Sequence, residues 1–225
     1  MKPKLQVIGN IFDAPIEAFT ALKARPSWLT GFIVIVVASI GLAWLMLPFL
    51  EEQARIEMAK FGIGLADIQH GQAIARNFIF LTPVLLLLKW LIFAGIFYFG
   101  ARWLGGPKGL TFKPVYAAVA HTEFILVFAN LLNVALVLSL KEVGEIKDVT
   151  DLYMIPSLHL IFGDAPVGIP YFTFLRQINP FSVWYLFVLS RGVAVVTEIS
   201  RRRAEWFVAL VWLAGVGVEV AIAAF

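Results

Sequence analysis

Four charged side chains fall well inside long apolar runs of the sequence, away from their ends: Lys89, Glu123, Arg191 and Glu219. A charge near the centre of a bilayer costs about 2.5–3.5 kcal/mol on insertion scales, so such a group normally faces protein or water and takes a partner. Lys89 and Arg191 lie near the middle of their runs, and Glu123 lies a few residues from the middle of its own. At about 1.5 Å per residue, these depths differ by roughly one helical turn. Glu123 is therefore the natural partner of one or both bases. Glu219 sits somewhat further out, within reach of Arg191. Residues seven apart share a helix face, and three sets obey this spacing: Glu123 and Asn130, with Asn133 beside them; Trp184, Arg191 and Glu198; and Glu205, Trp212 and Glu219. Three runs thus each carry a polar stripe that is expected to turn inward. Lys89, Glu123, Arg191, Glu219, Asn130 and Glu198 then form one of two things. They are a set of buried ion pairs fixing helix order and register, or a site that handles protons or a polar solute.

Other chemistries find no pattern in the chain. His121 is two residues from Glu123, nearly on the opposite helix face, and His70 and His159 stand in separate connections, so no metal set emerges. There is no cysteine, which removes thiol catalysis, thiolate metal sites and disulfides. Gly105-Gly106-Pro107-Lys108-Gly109 is a tight basic turn. It lacks the spacing and the Ser/Thr of a phosphate-binding loop, so no nucleotide is implied. No basic patch with interleaved aromatics lies outside the apolar runs, so no nucleic acid is implied either. No nucleophile–base pair or catalytic carboxylate pair appears. The reading is a non-enzyme without cofactor or metal.

The elements that would hold these residues follow from composition. The chain has 225 residues, 60% hydrophobic and 15% charged, against roughly 25% charged for soluble proteins. A hydrocarbon layer of about 30 Å takes about 20 apolar residues as helix. Runs of that kind lie near 28–50, 78–101, 114–138, 181–199 and 205–225. The expected fold is an all-α polytopic membrane protein: a bundle of five transmembrane helices, one membrane domain over 28–225. Pro83 is a candidate kink in the second span. Asn179 is expected to cap the fourth, with Pro180 at its first position. Residues 139–178 form the longest connection, polar first and then semi-apolar with Gly163, Pro166, Gly168 and Pro170. That second part, 157–178, reads as interfacial or re-entrant, with a sixth span as the alternative.

Residues 1–27 carry apolar residues at helical spacing: Val7, Ile8, Ile11, Phe12, then Ile16, Phe19 and Leu22. Asp13 reads as an N-cap, Pro15 as a first-turn residue and Pro26 as a stop. This segment is expected to be a cytoplasmic amphipathic helix along the headgroups, or a short helix packed on the bundle. Lys and Arg set the orientation. Lys2, Lys4, Lys23, Arg25, Arg102, Lys108, Lys113 and the anchors Arg201, Arg202 and Arg203 fall on one side in short segments. Arg55, Lys60, Arg76, Lys141, Lys147 and Arg176 fall on the other over longer loops. The positive-inside rule then places the N-terminus in the cytoplasm and the C-terminus outside. In the fifth span Ala214, Gly217, Ala221 and Ala224 make a small-residue face, read as helix packing within the chain, with a dimer face as the alternative.

Several motifs in order resemble the Yip family of Ypt/Rab-interacting membrane proteins. They are Ile8-Gly-Asn-Ile-Phe-Asp-Ala-Pro15, Ala18-Phe19, Arg25-Pro-Ser-Trp28, Pro48, Asn179-Pro-Phe-Ser-Val-Trp184 and Ser200-Arg-Arg-Arg-Ala204. The resemblance is to the bacterial branch and covers most of the chain. It implies a five-helix membrane domain with a cytoplasmic N-terminus. Eukaryotic members bind small GTPases and one another in trafficking, a role that does not transfer to a bacterial-type member. Bacterial members are inner-membrane proteins, some associated with transporters. Arg191 departs from the pattern, which has glycine or a small apolar residue there. The function expected is a membrane scaffold or adaptor that contacts lipid and another membrane protein or a second copy of itself. The alternative is a small transporter or channel component using the Lys/Glu/Arg cluster.

Overall fold

A computed structural model describes residues 4–161 and 169–224. Lys2, Gly163, Pro166, Gly168 and Phe225 lie outside the described residues. The described chain is helical, without strands. Two short helices, α1 (Lys4–Asp13) and α2 (Pro15–Ala24), precede α3 (Leu29–Lys60), α4 (Leu65–Phe78), α5 (Thr82–Trp103) and α6 (Phe112–Leu140). After the long connection come α7 (Ile169–Gln177), α8 (Pro180–Thr197) and α9 (Arg201–Ile222). Five helical runs are long and apolar enough to cross a membrane: Leu29–Lys60, Ala66–Trp103, Phe112–Leu140, Pro180–Thr197 and Arg201–Ile222.

Local chemistry accounts for most boundaries. Pro26 lies just beyond α2, where the chain cannot continue as helix. Between α4 and α5 a single 3₁₀ turn, Ile79–Leu81, carries the chain. Thr82 N–H closes that turn on the Ile79 carbonyl. Pro83, with no N–H, cannot give that carbonyl the bond an α-helix would supply. The proline thus starts α5 rather than kinking it. Asn179 caps α8: its side-chain oxygen accepts from Ser182 N–H at 2.9 Å, with Pro180 in the first turn. Asp13, by contrast, is the last residue of α1, and Ala14 occupies the N-cap of α2 without a side-chain bond. α1 continues up to Asp13 because nothing stops it before Pro15. The 139–178 connection holds 3₁₀ turns at Val143–Glu145, Val149–Leu152 and Leu158–Ile161, then the nine-residue α7. At about 1.5 Å per residue none of these reaches across a bilayer.

The chain divides into two compact units. The first draws on described residues of Met1–Val34, Leu88–Leu126 and Pro156–Phe225. Its helices meet through rings seated on glycines. The Phe19 ring of α2 lies where a Cβ on Gly192 of α8 would come within 2.8 Å of it. Phe207 of α9 fills the space beside Gly100 of α5 and stacks edge-on to Phe97 at 5.4 Å. Phe12 of α1 meets Trp184 of α8 at 5.7 Å. Ile11, Ala18, Phe19 and Leu22 are buried, so the N-terminal pair packs on its own unit; Ile16, expected on that face, is exposed.

The second unit comprises Ile35–Leu87 and Val127–Ile155. Its core is Leu42, Met46 and Phe49 of α3, Val134 and Val137 of α6, and Ile146 and Leu152 of the connection. Asn133 ties the connection down with both ends of its amide. Its Nδ2 donates to the Leu152 carbonyl at 2.9 Å, and its Oδ1 accepts from Met154 N–H at 2.8 Å. Lys141 and Asp151 close the same loop at 2.7 Å.

Candidate functional site

The first unit contains the intramembrane charges. Lys89, about two turns into α5, donates to Glu123 Oε1 of α6 at 2.8 Å. The neighbouring Trp90 indole N–H donates to the other carboxylate oxygen at 3.2 Å. Glu123 is buried, and each of its oxygens has a donor, so the carboxylate is held as a doubly bonded acceptor. An aromatic cluster surrounds Trp90: Phe32 at 5.8 Å and Tyr116 at 6.3 Å, with Trp28 on Tyr116 at 5.5 Å. Edge-to-face pairs of this kind contribute about 0.5–1.5 kcal/mol each beyond the area they bury. They fix the indole, and through it the carboxylate.

Beside this pair lies a cavity of about 140 Å³. Lys89, Ser182, Tyr185, Gln177 and Glu219 line it, with Trp212 beside its apolar residues. Gln177 of α7 donates to Glu219 of α9. The cavity has room for several water molecules and polar groups to hold them.

Arg191 lies elsewhere. Its side chain is 6% exposed, and its guanidinium pairs with Glu205 at 2.6 Å, not with Glu123 or Glu219. It also sits over the Phe187 ring at 4.4 Å. Glu205 accepts from Arg201 as well, at 2.8 Å. The geometry comes from a tight hairpin between α8 and α9. Glu198 turns the chain in the left-handed region at φ 56°, where a non-glycine residue costs about 1–2 kcal/mol. Positions 191 and 205 stand equally far before and after Glu198, so the two antiparallel helices bring them to one level. Glu198 itself pairs with Lys23 at 2.6 Å.

The structure thus gathers Lys89 and Glu123 directly, places Glu219 with Lys89 in the lining of one cavity, and sends Arg191 and Glu198 to the hairpin. Asn130 is exposed and joins neither group. Arg203 anchors in the literal sense: its guanidinium donates to the Leu104 carbonyl at 2.9 Å. Arg201 serves Glu205, and Arg202 points outward, exposed. Trp90, Tyr185 and Gln177 belong to these groups without having stood out in the sequence, and Glu205 had stood out only as part of the stripe with Trp212 and Glu219. Glu205 was legible from its i,i+4 spacing to Arg201; the others needed the packing. The small-residue face of α9, read as internal packing, is a correction: Ala214, Gly217, Ala221 and Ala224 are all exposed. α9 instead buries Ala204, Val208 and Val216, so its contact stripe lies on another side.

No curated protein and no solved structure matches the chain. The Yip1 domain matches residues 9–222, nearly the whole sequence and all five candidate spans. With its apolar helices and that match, the chain is a multi-pass integral membrane protein and belongs to the Yip1 domain family.

Proposed function

We propose that this protein is a non-enzymatic membrane scaffold or adaptor, of the bacterial Yip type, resident in the inner membrane. It works by contacts of its spans or cytoplasmic edge with other membrane proteins or a second copy. One observation carries this reading: the bases of the candidate spans are bonded within the chain, while α9 turns a long face outward. Lys89 is bonded to Glu123, and Arg191 to Glu205. On α9, Trp206, Leu210, Leu213, Val218 and Ile222 are exposed together with the small residues at 214, 217 and 221. Small residues allow close approach of another helix, and interhelical contact in lipid depends on such approach. Affinity purification of the full chain in mild detergent should return the same stoichiometric membrane partner, or a second copy, in repeated preparations. Repeated recovery of the chain alone would overturn the proposal.

The N-terminus lies in the cytoplasm and the C-terminus outside, on the distribution of Lys and Arg. Because the chain has no cysteine, single-cysteine labelling from either side tests this directly. Arg25→Cys should be shielded from an impermeant reagent added to intact cells, and Lys60→Cys should react.

A second reading has the cavity between Lys89 and Glu219 in its favour. Five polar or charged groups reach it, which suits a small transporter or channel component. It predicts solute or proton flux in liposomes that falls with Glu123→Gln; flux at the level of empty liposomes rejects it.

A further inference from the structure

A second pocket, of about 390 Å³, opens where α5 ends and α9 begins. Arg202, Arg203 and Ser200, the N-cap of α9, line it. Its walls are Trp103, Trp206 and Phe207. Trp103 is 87% exposed and Trp206 65% exposed. Two indoles so open to their surroundings are what a membrane–water boundary accommodates, since tryptophan concentrates at that level. Here they stand beside guanidiniums where two candidate spans, α5 and α9, respectively end and begin.

Charge decides what such a pocket holds. No carboxylate lines it. The nearest acid along α9, Glu205, already accepts from Arg191 and Arg201. Glu198, before the helix, is bonded to Lys23. Arg203 is held in place by the Leu104 carbonyl at 2.9 Å, which takes one of its five N–H donors. Arg202 has no hydrogen bond or ion pair among the described residues. Two guanidiniums therefore present free donors over an apolar slot, and guanidinium matches phosphate oxygens bidentately.

We propose that this pocket binds one anionic glycerophospholipid, its phosphate on Arg202 and Arg203 and an acyl chain along Trp206 and Phe207. A zwitterionic headgroup fits poorly, because its ammonium would meet two guanidiniums and no acid. Free phosphate has no use for the aromatic walls.

Native mass spectrometry of the full chain in mild detergent tests this, with phosphatidylglycerol, phosphatidylcholine and inorganic phosphate as probes. One phosphatidylglycerol per chain should be retained in preference to phosphatidylcholine, and millimolar phosphate should not displace it. Arg202→Gln breaks no contact in the fold and should lower that retention about tenfold, the loss expected for one charge-assisted contact. Arg25→Gln, which removes the same net charge at another exposed position, should leave retention unchanged. Equal retention of the two lipids would overturn the proposal. So would displacement by phosphate, an unchanged Arg202→Gln, or an equal loss in Arg25→Gln.

Discussion

Replacing Glu123 by leucine removes the acceptor of both Lys89 Nζ and the Trp90 indole. An unpaired ammonium in a span costs about 2.5–3.5 kcal/mol. Some of this is recovered because the Lys89 side chain is 38% exposed and can extend its ammonium toward a more polar level. The orphaned indole N–H adds about 1–3 kcal/mol. The net expectation is a loss of about 3 kcal/mol, or roughly 6–12 °C of melting temperature for a chain of this size. Glu123→Gln keeps a carbonyl oxygen for one of the two donors and turns an amide N–H toward the other, so it should lose less than Glu123→Leu, about 2 kcal/mol. Pairing Lys89→Met with Glu123→Leu removes the stranded charge and should recover about 2 kcal/mol of the single-variant loss, because deleting both partners of a buried pair is far milder than deleting one. Thermal unfolding of the four proteins in the same mild detergent reads these differences. If Glu123→Leu melts with the parent, or the double variant is as weak as Glu123→Leu alone, the pair does not hold α5 to α6 and the reasoning fails.

Three further outcomes follow from other contacts. Gly192→Ala places a Cβ within 2.8 Å of the buried Phe19 ring and should cost about 1–3 kcal/mol by overpacking; Phe19→Leu added to it should restore part of the loss in the same melt. Arg191→Leu leaves Glu205 with Arg201, so it should preserve topology and loosen the α8–α9 hairpin less than Glu123→Leu weakens the α5–α6 pair; amide exchange across residues 191–205 checks this, and unchanged exchange counts against it. The connection after α6 should be acid-sensitive. Burial pushes the Asp151 carboxyl up, but the bonds from Lys141 and from the Lys147 N–H outweigh it and hold the carboxyl below its usual range. Its contribution, about 0.5–1 kcal/mol, is present above the unfolded value near pH 3.9 and lost as pH falls through the lower folded value. Lower protection at residues 147–154 in acid, taken relative to the intrinsic exchange rate at each pH and with no such pH dependence in Asp151→Asn, is the expected signature.

Periodicity and hydropathy made the helices legible, because a run that must satisfy its backbone within lipid has only one economical form. The start of α8 was equally plain: Asn179 and Pro180 each supply a specific local bond or angle. What spacing cannot give is which face meets which neighbour. Arg191 and Glu123 lie at similar depth by sequence, yet the left-handed turn at Glu198 delivers Arg191 to Glu205. The small-residue face of α9 turns outward because Val208 and Val216, with Phe207 beside Gly100, supply the contact stripe instead. Asp13 lost its expected capping role to the continuation of α1, a matter of where the preceding helix stops rather than of the aspartate's own preference. Lys89 with Glu123 came together because two spans carried charges of opposite sign at one depth, and few alternatives existed for either.

The scaffold reading is tested most directly in the native membrane, by photo-crosslinking from single positions on α9. Leu213 and Gly217 lie on its outward face; Val37, 67% exposed on α3, serves as the control. The account predicts a discrete crosslink of constant mass from Leu213 and Gly217, to another membrane protein or a second copy, and only lipid adducts from Val37. Lipid adducts alone from all three positions would contradict it.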